Sequence, residues 1–315
     1  MESMDYCGKA GSMNIIPALQ SFASRFFSGS GQQQESQPLA RFDAYKQAAR
    51  RAGIDRLYLF LSFDCDTDLD ADVVEELHRF LTSRGIKATY AVPGAQLEKA
   101  AGIYGRLATG GAEFINHGGL PHAEWREDRW VGSTFYDSMT TEAVVADIRR
   151  GHEIVTAVTG VAPTGFRAPH FGCFQKPEQV ALMHRTAAEL GYGYCSTTLP
   201  AMGLAKGPAY LSHGVIEFPC FGSVRNPETI LDSWTYLTDR VNYALGDDYY
   251  LLLEETVNSM LERRMPGVLT WYADPAHVLG QAPFMRAIEL LVKKEVTSVT
   301  GHQLLDIVNP AVRTQ

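Results

Sequence analysis

The sequence predicts an α/β fold in which a parallel sheet closes into a β/α barrel, and three observations carry that expectation. From Arg56 onward, apolar runs of strand length alternate with longer segments of helical period, the pattern of β-α units joined by right-handed crossovers. Roughly seven or eight strand candidates over about 270 residues favour a barrel, with an open doubly wound sheet as the runner-up. The 315 residues, 45% hydrophobic and 20% charged, suffice to bury a large core.

Residues 1–40 read as an N-terminal extension and linker, and residues 41–315 as the barrel. Within the extension, residues 15–27 are expected to form a short amphipathic helix packed on its own domain. Residues 29–38, rich in Gly, Ser and Gln, read as a flexible linker. The run 57–63 (LYLFLSF) is continuous and apolar, as a strand buried on both faces requires. In the following helix Val73, Val74, Leu77, Phe80 and Leu81 share a face, with Asp70 as its cap and Gly85 as its stop. Residues 86–92 form the second strand and 113–116 end a third. A helix over 141–159 is marked by Val144, Val145, Ile148, Val155 and Val158 and closed by Gly160. A short strand at 165–168 precedes a helix at 177–190 that has Pro at its first position. Residues 192–196, 215–218, 268–272 and 296–300 supply the remaining strands, with helices at 248–264 and 283–294 between the last three.

Charge and composition exclude several functions. Lys and Arg number 28 against 36 Asp and Glu, a net charge of −8, and the densest basic runs are pairs such as Arg149–Arg150 and Lys293–Lys294. Nucleic-acid binding is therefore not expected, since phosphate contacts need clustered cations. No stretch reaches the roughly 18 apolar residues of a membrane span. The first residues lack a basic and then apolar leader, so a cytoplasmic location is expected. Five scattered cysteines without a C-x-x-C pair read as reduced, mostly buried thiols. A homo-oligomer is compatible with all of this.

In a barrel of this kind the reactive groups lie just past the C-terminal ends of the strands. There the sequence places Asp64, Asp66 and Asp68, then Asn116-His117-Gly-Gly-Leu-Pro-His122, then Arg167-Ala-Pro-His170, and finally Asp274-Pro-Ala-His277. Asp64 and Asp66 are two apart on an extended chain, so both can point into one site. His117 and His122, with one carboxylate, make a usual ligand set for a catalytic Zn²⁺ or Fe²⁺. Arg167, beside Pro169, can present its guanidinium to a carboxylate. Trp234, Tyr236, Trp271 and Tyr272 offer sugar-stacking faces, at least half of them expected in the core. His78, His152, His184, His213 and His302 read as structural or solvated.

Together these segments resemble the polysaccharide deacetylase family (carbohydrate esterase family 4, the nodulation-deacetylase homology domain). SFDCDTD resembles that family's first motif, GIKATYAVPG its second strand, EFINHGGLPH its His-rich metal motif and TGVAPTGFRAP its Arg-containing third motif. Asp232-Ser233-Trp234 is more weakly similar to its Asp/Trp fourth motif. The resemblance implies a distorted (β/α)7-type barrel. It also implies a divalent metal held by Asp66, His117 and His122, with Zn²⁺ first and Fe²⁺, Co²⁺ or Ni²⁺ as alternatives. Asp64 is then the general base and Arg167 the residue that orients it.

Two features depart from the family pattern. The metal histidines usually stand one residue closer together than His117 and His122 do. The family's catalytic acid is a His at the end of a late strand, where this chain has Asp274, with His277 three residues on; both are candidates for the acid. The implied activity is metal-dependent hydrolysis of C–N bonds other than peptide bonds, removing an N-acyl, or else an O-acyl, group from a carbohydrate. The alternatives are a hydrolase of non-sugar amides, and a barrel that has lost its acid and binds a glycan or partner.

Overall fold

The computed structural model describes residues 37–308 and 312. Seven parallel strands form its centre: β1 (Leu57–Asp64), β2 (Ala88–Val92), β3 (Glu113–Asn116), β4 (Gly165–Arg167), β5 (Tyr194–Ser196), β6 (Val215–Glu217) and β7 (Gly267–Ala273). They pair in the order β7-β1-β2-β3-β4-β5-β6. Chain order and spatial order thus agree, as in a β/α barrel. Among the described residues the strand pairs do not close the ring between β6 and β7. There Phe221 N–H donates to the Thr270 carbonyl at 3.0 Å, and Asp232 and Tyr272 form a single parallel bridge. The antiparallel strand Tyr210–Ser212 lies along β6.

Side-chain alternation along β1 decides what faces the interior. Tyr58 and Phe60 join a cluster with Ala91, Ile115, Tyr194 and Val268 from β2, β3, β5 and β7. Leu57, Leu59, Leu61 and Phe63 point the other way, towards Val74, Leu77, Leu253 and Ile288 of the surrounding helices. Every residue of β1 is buried, which is why its sequence is an unbroken apolar run. Burying one such side chain stabilises the fold by roughly 1.5–3 kcal/mol. By the same parity Ser62 and Asp64 are the next inward positions, so the strand carries its polar residues into the interior at its C-terminal end.

The expected helices are present as Asp68–Thr82, Thr141–Thr159, Pro177–Glu189, Asp247–Glu262 and Ala282–Lys293. Several boundaries need correction. The first of these helices is capped by Thr67 and not by Asp70, which is the third helical residue of a reciprocal capping box. That helix ends at Ser83, ahead of Gly85, whose φ of +71° serves the turn into β2. A helix over Gln37–Arg51 precedes β1, so helix is already present before residue 41 and the linker call of 29–38 loses its last two positions. The rest of that linker and the helix expected at 15–27 lie outside the described residues. The strand at 296–300 reduces to Thr297–Ser298, which pairs with Tyr58 and Leu59 below the start of β2. No described helix is long and apolar enough to cross a membrane.

Candidate metal and catalytic site

The C-terminal ends of β1, β3 and β4 bring Asp64, Asp66, His117, His122 and Arg167 together. The ligand atoms of Asp66, His117 and His122 all lie within 4.8 Å of one another. Asp66 Oδ1 stands 3.6 Å from His117 Nε2 and 3.4 Å from His122 Nδ1. His117 Nδ1 lies 2.9 Å from the Arg167 carbonyl, which can only accept; the ring therefore carries its proton there and turns Nε2 inward as a lone pair. His122 is fully buried, yet both its nitrogens lack a partner, as does Asp66 Oδ1. Buried polar atoms are normally satisfied, so a cluster of unpartnered ligand atoms converging on one point is an arrangement that a divalent cation fits.

The loop from His117 to His122 is held from behind. Asn116 Nδ2 donates to the Ile148 carbonyl, and its Oδ1 accepts from Gly118 N–H. Asp147, buried on the helix Thr141–Thr159, accepts from the Gly119 and Leu120 amides at 3.0 and 2.8 Å and from the Tyr136 hydroxyl. Gly118 adopts φ +81°, and a Cβ there would meet Asp147 Oδ2 and the Tyr136 hydroxyl. Such a turn takes up the extra residue in the His-His spacing. The two rings meet edge to face with centroids 4.3 Å apart.

Asp64 lies against Arg167, with Nη1 3.4 Å from its Oδ1. The guanidinium is completely buried, donates to the Ser62 hydroxyl, and is flanked by the rings of Phe171 and Tyr272 at 4.9 and 5.1 Å. Burial pushes the Asp64 carboxyl up to about 6, although the charges of Arg167 and His117 pull it down. Against the upward push of burial, the imidazoles of His117 and His122 close beside it hold Asp66 well below the usual carboxylate range. Burial, helped by the neighbouring His117, drives His122 down to about 3. The two aspartates thus shift in opposite directions.

Asp274 and His277 belong to a second cluster on the rim. Asp274 Oδ2 is 3.1 Å from His277 Nδ1 and accepts from Ser233 Oγ at 2.9 Å. The Ser233 oxygen in turn lies 3.2 Å from His277 Nδ1. Burial lowers the His277 pKa, but the Asp274 charge outweighs it and the net shift is upward. Around this pair stand Asp70 and Asp232, each pushed up to about 7, chiefly by burial. Asp274 acts on Asp64 through its charge, without a hydrogen bond between them.

Sequence reasoning missed several residues that build the site. Ser62, the first residue of SFDCDTD, holds Arg167, and Asp147, outside every motif, holds the His loop. Asp70 accepts from Ala276 N–H, so the residue expected as a helix cap instead ties that helix to the short turn carrying His277. His170 follows Arg167 with φ +50°, and its ring lies 5.6 Å from that of His122. Of the aromatic candidates, Trp271 is core, Tyr236 packs on Tyr249, Tyr272 flanks Arg167 and Trp234 is exposed beside His277. His184 is fully buried, with Nε2 3.0 Å from Glu217 Oε2.

Residues 54–193 match the family profile described as Polysaccharide deacetylase. Among solved structures, a putative polysaccharide deacetylase from Mycobacterium smegmatis is similar at 19% identity, with a TM-score of 0.61 over 82% of this chain and 92% of that one. A mutant of BA3943, a CE4 family pseudoenzyme with restored enzymatic activity, is similar at 12% identity and a TM-score of 0.50, covering 81% of this chain and 69% of that one; wild-type BA3943 comes from Bacillus anthracis. No curated protein matches the sequence. The motifs from SFDCDTD to GFRAP lie inside the matched span, whereas Asp232 to Trp234 and Asp274 to His277 lie beyond it. Residues 54–193 are thus similar to the polysaccharide deacetylase family, as the motifs implied, and the fold around that span is the one the solved structure has.

Proposed function

We propose that the protein is a metal-dependent hydrolase that removes an N-acyl group, in the first place N-acetyl, from a carbohydrate or glycoconjugate, with residues 41–315 as the catalytic unit. The observation that carries this reading is the convergence of unpartnered ligand atoms from Asp66, His117 and His122 beside Asp64. Two imidazole nitrogens and one carboxylate oxygen suit Zn²⁺, with Fe²⁺, Co²⁺ and Ni²⁺ as alternatives. When bound, such an ion supplies Lewis acidity, activating water and polarising the acyl carbonyl.

The chain's own residues divide the remaining work. Asp64 takes the proton of the attacking water, a task for which a carboxyl held near pH 6 is better suited than an ordinary one. Arg167, itself fixed by Ser62, Phe171 and Tyr272, holds Asp64 in place. The leaving amine needs a proton in return. We assign that role to His277, with Asp274 and Ser233 engaging Nδ1 and leaving Nε2 to donate. Asp274 then serves as the group that orients and charges the ring. The buried thiols Cys65, Cys173, Cys195 and Cys220 suit a reducing compartment, and we read the protein as cytoplasmic.

A substrate panel tests the reading. The zinc-loaded protein is expected to release acetate from N-acetylated glucosamine oligomers and to leave small non-sugar amides intact. Turnover confined to the amides would replace the carbohydrate assignment, and no turnover on either would favour a binding protein.

A further inference from the structure

The chain directly after His122 forms a hairpin, Ala123–Arg126 with Arg129–Gly132, that takes no part in the central sheet. Its turn residues Glu127 and Asp128 adopt φ of 48° and 58°, the left-handed pair of a tight two-residue hairpin. Trp125 and Trp130 lie directly opposite one another, with ring centroids 5.5 Å apart. Trp125 is 57% exposed, an unusual position for the largest apolar side chain.

The face that carries these rings leads into the site. Alternation puts Ala123 and Gly132 on the same face as Trp125 and Trp130. A Cβ on Gly132 would meet Phe135 at 3.1 Å and His170 Cε1 at 3.4 Å, and the His170 ring lies 5.6 Å from that of His122. The base of the arm is tied to the ligand loop by Ser133 N–H, which donates to the His122 carbonyl at 2.7 Å. Trp125 is three residues from His122, about 10 Å along an extended strand. The face that carries the two tryptophans thus continues through Gly132 to Phe135 and His170, beside the metal-ligand cluster.

We infer that this hairpin is a glycan-binding arm: Trp125, backed by Trp130, stacks on a pyranose ring of the substrate chain next to the sugar that is deacylated. The substrate class is then an oligomeric or polymeric glycan and not a free monosaccharide. A pyranose fits because the positions flanking the rings, Glu124, Arg126, Glu127, Asp128 and Arg129, are charged. An occupant of this surface must be apolar on one ring-sized face and hydroxylated at its rim. The inference rests on the carbohydrate reading above.

The test separates the two. Kinetics of acetate release are measured for wild type, Trp125→Ala and Trp125→Phe on N-acetylglucosamine hexamer and on the monomer. Binding of the hexamer is measured by calorimetry in the Asp64→Asn background, where no turnover intervenes. Trp125→Ala is expected to raise KM for the hexamer roughly tenfold, the scale of one aromatic contact, and to leave kcat and metal content unchanged. Trp125→Phe should restore most of the loss, and calorimetry should show the same weakening. If wild type cleaves the hexamer and Trp125→Ala does so with an unchanged KM, the arm assignment is wrong while the deacylase reading stands. If the hexamer binds through Trp125 but is never cleaved, the arm assignment stands and the deacylase reading fails. Absence of both binding and cleavage overturns both.

Discussion

Replacing Asp64 by Asn is expected to lower turnover of an N-acetylated sugar by about 10²–10⁴-fold, the contribution of a positioned general base. The protein should fold and keep its metal, because the ligand atoms belong to Asp66, His117 and His122 and not to Asp64. Asn preserves the size of the side chain, and its amide oxygen can still face Arg167. What it cannot do is take a proton from water. Steady-state kinetics paired with elemental analysis of the same sample checks the division of labour. Loss of metal along with activity would show that Asp64 is a ligand, and unchanged activity would place the base elsewhere.

The second large effect concerns stability. Glu217 is fully buried and accepts from the Thr197 and Thr198 amides, each at 2.8 Å, and from both threonine hydroxyls. His184 Nε2 lies 3.0 Å from its Oε2. Glu217→Gln replaces one acceptor oxygen by a donor facing other donors. The expected cost is about 3–5 kcal/mol, the scale of breaking a buried pair by changing one partner. Denaturant unfolding of both proteins measures it.

The pH dependence follows from the same carboxylate. Burial raises its pKa, yet His184 and the amide and hydroxyl donors outweigh burial, and the folded value lies below the ordinary 4.5. A depressed carboxylate contributes stability that is complete above its unfolded pKa and is lost as pH falls through the folded one. Wild type should therefore lose part of its advantage over Glu217→Gln below about pH 4.5. A constant difference between the two proteins across that range would contradict the assignment.

What could be read from the sequence follows from how local each cause is. β1 was legible because burial on both faces leaves an unbroken apolar run, and Asp64 and Asp66 because the strand period carries their alternation past its end. His117 and Arg167 were legible as polar residues at strand ends. The contacts that make them a site were not, since they join residues far apart in the chain. Arg167 reaches Ser62 across 105 positions, and Asp70 reaches Ala276 across 206. Asp70 resembled a helix cap because an aspartate one turn into a helix resembles one; only the neighbouring loop discloses its second partner. The hairpin after His122 was invisible because its strands are only four residues each and lie outside the central sheet. The extra residue between the two histidines likewise could not be placed until Asp147, on another helix, gathered the loop amides.

The central claim is that Asp66, His117 and His122 hold one divalent ion on which the activity depends. Elemental analysis of the purified protein, before and after dialysis against a chelator, with acetate release measured on the same samples, tests it most directly. The account predicts one divalent metal per chain, loss of activity when it is removed, recovery when Zn²⁺ is returned, and no stable binding in His117→Ala or His122→Ala. A metal-free protein that releases acetate at the same rate, or a metal retained when both histidines are replaced, would contradict it.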